Sequence, residues 1–428
     1  MDQYVQIGIA IFGDIIIYPK FRFLNAMKTI VIISYSNLYT DPRVNRQIRF
    51  LSQKYRVIAI GFANPQVQNV TFMPVTHVSK NYVQKLGAIA LLSTKQYETY
   101  YWKFSHVQET LQLLNAIKAD LIIANDLETL PVVLRGANGV KVVFDAHEYF
   151  PKQFEDRFLE KLFFTAYKNY FCKLYIPKVD GMMTVCQKIA DEYEKDMGVK
   201  AVVVTNAPKY HSIEPNLKST EDRKVRMIHH GGANPSRRIE NMIKVMDYID
   251  DRFELDLLLV PFESRYTEKL KKLARHNKKI RFLPPVPMQE LVAFSSQYDI
   301  GLFLLQPTSF SYLYALPNKF FEFIQARIMV AIGPSPEMAH IVQKYDLGVV
   351  SDDFQPKSLA KKLSSLTYDQ INYYKQQSDE VAHLMSAEQN KSKLFFLIEK
   401  VLRGEETLTK HRKIPSQELV VQSSPKKS

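Results

Sequence analysis

The chain has 428 residues, 46% of them hydrophobic and 24% charged, with 14 glycines and 21 prolines. That balance suits two or three soluble globular domains and excludes collagenous, solenoid and disordered readings. Two cysteines, Cys172 and Cys186, cannot make a disulfide framework or a zinc-ligand pair, while 57 basic against 44 acidic residues leave +13, which favours an anionic partner. The residues before Met27 read as an extension outside the fold (1–26). Its apolar run Val5–Tyr18 is interrupted by Asp14 and too short to span a bilayer, so a surface anchor is the sharper alternative. From Thr29 short apolar runs alternate with amphipathic stretches. Strands are expected at Ile30–Ile33, Val57–Ile60, Leu121–Ala124, Val140–Phe144, Met182–Val185 and Val202–Val204, with helical periods such as Val44, Ile48, Leu51 and Val107, Leu111, Leu114 between them. This rhythm implies right-handed βαβ units and a parallel sheet over residues 27–207. The polar, proline-bearing stretch 208–224 reads as a linker. A second run of strands and helices follows over 225–385, then a helix over 386–403 that returns to the first domain, and a basic tail over 404–428 expected to be disordered. The fold class is therefore α/β, two Rossmann-like doubly wound domains facing across a cleft, with ligands expected beyond the carboxyl ends of the strands.

Four strand-end segments carry candidate chemistry. In His229–Glu240, Gly231 and Gly232 let the backbone approach a ligand, and Arg237 and Arg238 set positive charge near the start of the next helix. The pattern suits a diphosphate or is merely a tight turn. In Leu316–Phe323, Pro317 and Asn318 start a helix on which Lys319 and Glu322 share a face, while Phe320, Phe323 and Ile324 take the buried stripe. A lysine at a helix start wants an anion, and a carboxylate one turn on can accept from a ribose diol; a surface ion pair is the plainer reading. Asp126, Asp145 and His147 end successive strands, where the histidine can handle a hydroxyl proton, and no ligand spacing for a metal is evident. After Asp41 as cap and Pro42 at the first helical position, Arg43 and Arg46 fall on the outer face of the first turn, suited to an acceptor phosphate or to solvent. The aromatic, lysine-bearing stretches Arg157–Tyr175 and Lys80–Lys103, with Trp102, fit a helix packed on a sheet or a membrane-interface contact.

Taken in this order, the segments resemble the GT-B glycosyltransferases of family 4 over roughly Lys28–Leu402. The DPRV opening at Asp41–Val44, the DAHE segment at Asp145–Glu148 and VDGMMTVC at Val179–Cys186 are similar to the family's acceptor domain. HHGGANPSRRIE resembles its donor loop, and LPNKFFEFIQARIMVAIGPSPEMAHIV its signature segment. The resemblance implies an acceptor-binding domain over 27–207 and a nucleotide-sugar domain over 225–385. It implies Glu322 on the nucleotide ribose, Arg237 (or Arg238) and Lys319 on the donor diphosphate, with Gly231, Gly232 and Asn318 beside them. On the acceptor side it implies His147 in the active site, with Arg43, Asp126 and Asp145 around it. The position of the family's first signature glutamate holds Tyr314, and Ser34–Asn37 replaces its first glycine-rich turn. The activity implied is retaining transfer of a sugar from a nucleotide-sugar to a saccharide or lipid-linked saccharide in cell-surface polysaccharide synthesis, with neither metal nor other cofactor. A nucleotide-sugar epimerase and a catalytically degenerate partner protein are the alternatives. The charge excess points to an anionic membrane surface on the cytoplasmic side. Nucleic acid is not expected, because no recognition helix or zinc module is present.

Overall fold

Continuous apolar runs flanked by helices become parallel strands buried on both faces. The computed structural model describes residues 27–77, 82–153, 158–217, 224–261 and 264–405, so the extension at 1–26 and the tail beyond 405 lie outside it. The N-terminal sheet contains β1 (Thr29–Ile33), β2 (Arg56–Gly61), β3 (Val70–Pro74), β4 (Leu121–Asn125), β5 (Lys141–Ala146), β6 (Gly181–Thr184) and β7 (Val202–Val203). They lie in the order β3-β2-β1-β4-β5-β6-β7, every pair parallel. The second sheet has β8 (Val225–Ala233), β9 (Phe253–Pro261), β10 (Ile280–Leu283), β11 (Ile300–Phe303), β12 (Met329–Ile332) and β13 (Gly348–Val350). Its order is β10-β9-β8-β11-β12-β13, again parallel. Strand order reverses between β1 and β4 and between β8 and β11, and a crevice opens beyond the carboxyl ends at such points.

The sequence pattern anticipates the central strands and misses β3 and β13. Both are sheet edges with half-exposed residues, so neither carries an unbroken apolar run. In the helix Pro42–Leu51, Asp41 caps by accepting from the amides of Arg43 and Val44, and Val44, Ile48 and Leu51 are buried as the spacing predicts. Residues 208–217 have neither helix nor strand, but they are not loose. The Arg327 guanidinium donates to the His211 carbonyl at 2.7 Å, Lys375 to that of Asn216 at 2.6 Å, and the Ala387 amide to that of Pro208 at 2.7 Å. The last helix, Ala387–Leu402, lays Leu394, Leu397, Ile398 and Val401 on the N-terminal sheet. A Cβ on Gly181 would stand 2.9 Å from Val401, so that glycine admits the helix. The aromatic helix, expected over 157–175, runs Phe158–Tyr175 and packs Tyr167 and Phe171 against Tyr97, Tyr100 and Tyr101.

Candidate active site in the cleft

The C-terminal half of the candidate site begins on β8, whose alternation turns His229 inward. The His229 ring is fully buried and its Nδ1 lies 2.9 Å from the Leu302 carbonyl on β11. A carbonyl only accepts, so Nδ1 carries the proton and Nε2 is left as an acceptor. Lys319 donates to it, its Nζ 3.3 Å from Nε2 and 4.6 Å above the Phe303 ring. Gly231 has φ +112°, and a Cβ there would stand 3.2 Å from the same Nζ, so glycine is what lets the strand end and the lysine meet. Asn234 caps the short turn Pro235–Arg237, which brings Arg237 back to donate to the Gly232 carbonyl at 3.3 Å. The helix Asn318–Gln325 buries Phe320, Phe323 and Ile324, leaving Asn318, Lys319 and Glu322 on the cavity side.

These groups line a cavity of about 510 Å³ together with His230, Gly231 and Arg237. Its other wall is apolar, with Leu258, Pro285, Val286 and Leu291, and Asn206 reaches it from the first domain. Burial raises the Glu322 carboxyl to about 7, against the pull of Lys319 and Arg46. Burial and the neighbouring Lys319 lower His230 to about 3, so its contact with Glu322 at 3.7 Å is not an ion pair at neutral pH. Lys319 is held well below the usual lysine range by burial and then by Arg237. Two expectations change here. Lys319 and Glu322 do not pair on a surface, since both face the cavity. Arg238 is exposed in the left-handed region at φ 50° and stays outside the cavity, because closing the turn spends its backbone on the cap.

The N-terminal half of the candidate site sits at the ends of β4 and β5. Asp145 is fully buried and receives Arg43 Nη2 at 2.6 Å and Nε at 2.8 Å, with Gln47 as a further donor. Arg43 also donates to the Val204 carbonyl at 2.6 Å. Arg43 is therefore not an outward-facing phosphate ligand, and Asp145 is not an open cleft carboxylate. A buried guanidinium needs a buried counter-charge, and together they tie the first helix to the sheet. Burial alone would raise Asp145, but Arg43 and then His147 hold it near 2. His147 lies between two carboxylates, Nδ1 at 3.3 Å from Asp126 and Nε2 at 3.5 Å from Asp145. Burial opposes its charge, yet Asp126 and Asp145 outweigh it and raise the imidazole to about 9. The two carboxylates thus favour the protonated imidazole. Asp126, at φ 65°, is raised to about 7 by burial against His147. Arg46 also turns inward. One guanidinium nitrogen is buried without a hydrogen-bond partner, and its charge acts on Glu322 across the cleft.

Beside Glu128, two residues beyond Asp126, a second cavity of about 440 Å³ is walled by Tyr35, Tyr100, Phe104, Phe164 and Tyr167 with Lys168. The sequence reading missed this cavity, because its walls come from the end of β1 and two distant helices. It also passed over His229, whose signal was its place one residue before a histidine and two glycines on a strand. Among the described residues no three of His, Cys, Asp and Glu are grouped to hold a metal ion.

Residues 49–207 match the family described as Glycosyltransferase Family 4. A sequence comparison with curated proteins found no match. Among solved structures the chain is similar to sucrose-phosphate synthase of Thermosynechococcus elongatus, at TM-score 0.64 and 12% identity over 88% of this chain and 100% of that one. It is similar to HepE of Anabaena, solved with UDP and glucose, at TM-score 0.63 and 12% identity over 87% and 100%. It also resembles a TarM variant of S. aureus, solved with fondaparinux, α-GlcNAc-glycerol and UDP, at TM-score 0.57 and 11% identity, covering 68% of this chain and 59% of that one. At such identities the likeness speaks for the fold alone, two α/β domains of the GT-B type, and the match to Glycosyltransferase Family 4 covers residues 49–207 of the N-terminal domain.

Proposed function

We infer that the chain transfers a glycosyl group from a nucleotide-sugar to a saccharide, lipid-linked in the cell, with retention at the anomeric carbon and no metal. The observation that carries this reading is the convergence of Arg237, Lys319 and Glu322 on one cavity at the β8/β11 crevice, with Asn206 reaching it from the first domain. Glu322 accepts from the ribose hydroxyls, and the apolar wall takes the base. Arg237 and Lys319 meet the diphosphate, where charge grows as the glycosyl bond breaks; preorganised donors at such a position are typically worth about 2.7–4 kcal/mol each. His147, as a cation, donates to the transferred sugar and holds it in place. The acceptor lies along the aromatic cavity, whose ring faces and Glu128 suit the apolar and hydroxyl sides of a sugar. The synthesis of surface polysaccharide on the inner membrane face is the setting that accounts for the charge excess.

The test is a thermal-stability screen of the full chain against UDP-, GDP- and ADP-sugars, followed by transfer assays with lipid-linked saccharides and hexose phosphates. A bound donor at a hundred times its dissociation constant stabilises by about 2.7 kcal/mol. Stabilisation by one nucleotide class with transfer to an added saccharide is expected. Conversion of donor without acceptor would favour the epimerase, and no stabilisation by any nucleotide the degenerate partner.

A further inference from the structure

Lys319 is only 6% exposed and makes no ion pair among the described residues. Its surroundings explain why. From β8 it meets His229 Nε2 at 3.3 Å, where burial keeps the ring neutral and the bond to the Leu302 carbonyl leaves Nε2 the acceptor. From β11 it meets the face of Phe303. His230 on β8 is neutral as well. Arg237, from the turn after β8, adds a like charge. Glu322, one turn along the same helix, is the carboxylate acting on it, and that group is raised to about 7 and shared with Arg46 of the other domain. A buried ammonium with a cation beside it and no committed anion is costly, and an amine sheds that cost by losing its proton. The hydrogen bond to His229 survives the loss, since an amine still donates to Nε2.

We propose that in the empty site Lys319 is an uncharged amine held in place by His229, and that arrival of the donor diphosphate brings one proton to it. His229 is thus a positioning residue. Its Nδ1–H is committed to Leu302, so the ring cannot turn, and the lone pair on Nε2 aims Lys319 at the leaving group. The proton taken up gives the diphosphate its counter-charge when it is bound and returns to solvent when the nucleotide leaves. Unlike a permanent ammonium, this arrangement keeps the unliganded cleft free of an unpaired buried charge.

The inference rests on the donor-site reading, but its first test needs no nucleotide. The full chain is prepared with isotope-labelled lysine, and the Lys319 resonance is identified by its loss in Lys319→Arg. In the empty protein that resonance is expected to titrate well below the other lysines and to report an amine at neutral pH; titration together with the surface lysines overturns the proposal. UDP-glucose, GDP-glucose and ADP-glucose are then added in turn, and the one that stabilises the chain should convert the signal to the ammonium form. A donor that stabilises and leaves the amine signal unchanged overturns the proposal. The role of His229 is read from donor affinity. His229→Leu should weaken it roughly tenfold, about 1.4 kcal/mol. His229→Gln, which can donate to Leu302 and accept from Lys319, should stay within roughly threefold. Equal affinity in wild type and His229→Leu, with the latter folded by circular dichroism, overturns the positioning role. If no nucleotide binds, the proposed function fails while the titration still decides the charge state.

Discussion

At the residue scale the site is organised by where charge is paired and where it is left waiting. Asp145 already has Arg43, and His147 lies between two carboxylates, although its Nε2 is buried without a hydrogen-bond partner. Glu322 and Lys319 are the ones left waiting. Replacing Glu322 by Gln removes an ionic acceptor worth about 1.5–3 kcal/mol, so donor affinity should fall roughly ten- to a hundredfold while the melting temperature holds. Wild-type donor affinity in that variant would take Glu322 out of the site. The sign of its pH dependence follows from its raised value. The carboxylate is present above about 7 and lost below. In Lys319→Arg, whose permanent charge takes up no proton on binding, donor affinity should therefore decline as pH falls through that point, while in the wild type the proton taken up at Lys319 offsets that decline. His147 runs the other way. Its cation is present below about 9, so turnover at saturating donor should fall as pH rises through that value. Arg237→Ala should lower turnover by about 2.7–4 kcal/mol, roughly a hundred- to a thousandfold, and EDTA should not. Dependence on added manganese with indifference to Arg237→Ala would overturn the metal-free proposal.

Among elements, the helix Asn318–Gln325 decides whether the proposed donor-binding groups converge. Its Phe323 ring lies on Gly301 of β11, where an added Cβ would overlap the ring. Gly301→Ala should therefore push the helix off the sheet and cost about 1–3 kcal/mol, a loss measurable by thermal unfolding. Donor affinity should fall with it, because Lys319 and Glu322 ride on that helix. Unchanged unfolding and affinity would mean that the ring relocates freely. The helix Phe158–Tyr175 plays the matching part for the proposed acceptor cavity through Phe164 and Tyr167. Truncating the half-buried Phe164 to Ala should raise acceptor KM about fivefold, near 1 kcal/mol, and leave donor KM alone. A change in donor KM only would place the acceptor elsewhere.

For the molecule as a whole, the two sheets are joined by more than the 208–224 strap. The Lys188 amide donates to Glu337 at 2.7 Å, and the Cys186 thiol lies 3.5 Å from the Tyr314 carbonyl, so Tyr314 stands at the domain boundary. Among the described residues no helix is long and apolar enough to cross a membrane. The proposed membrane attachment therefore rests on the +13 excess. Basic residues near an anionic surface contribute about 1 kcal/mol each. The chain should co-sediment with anionic vesicles at low salt and be released at high salt. Equal binding to neutral vesicles, insensitive to salt, would favour an apolar anchor such as Val5–Tyr18, and no binding at all a soluble acceptor.

The sequence alone was enough to read the two parallel sheets and to single out Gly231, Arg237, Asn318, Lys319 and Glu322, which the structure brings to one cavity. Strand and helix periods are local, and a buried parallel strand announces itself as an unbroken apolar run, as Ile30–Ile33 does. Edge strands such as β3 lack that run and were not legible. Only the tertiary structure decided which charges are free. Arg43 and Arg46 share one helix turn, yet one is bound to Asp145 and the other faces the cleft. Arg237 and Arg238 are adjacent, yet a left-handed residue at the turn's end sends the second to solvent. Pairing depends on residues far apart in the chain, here 102 positions between Arg43 and Asp145 and 90 between His229 and Lys319, and no local period encodes such a meeting.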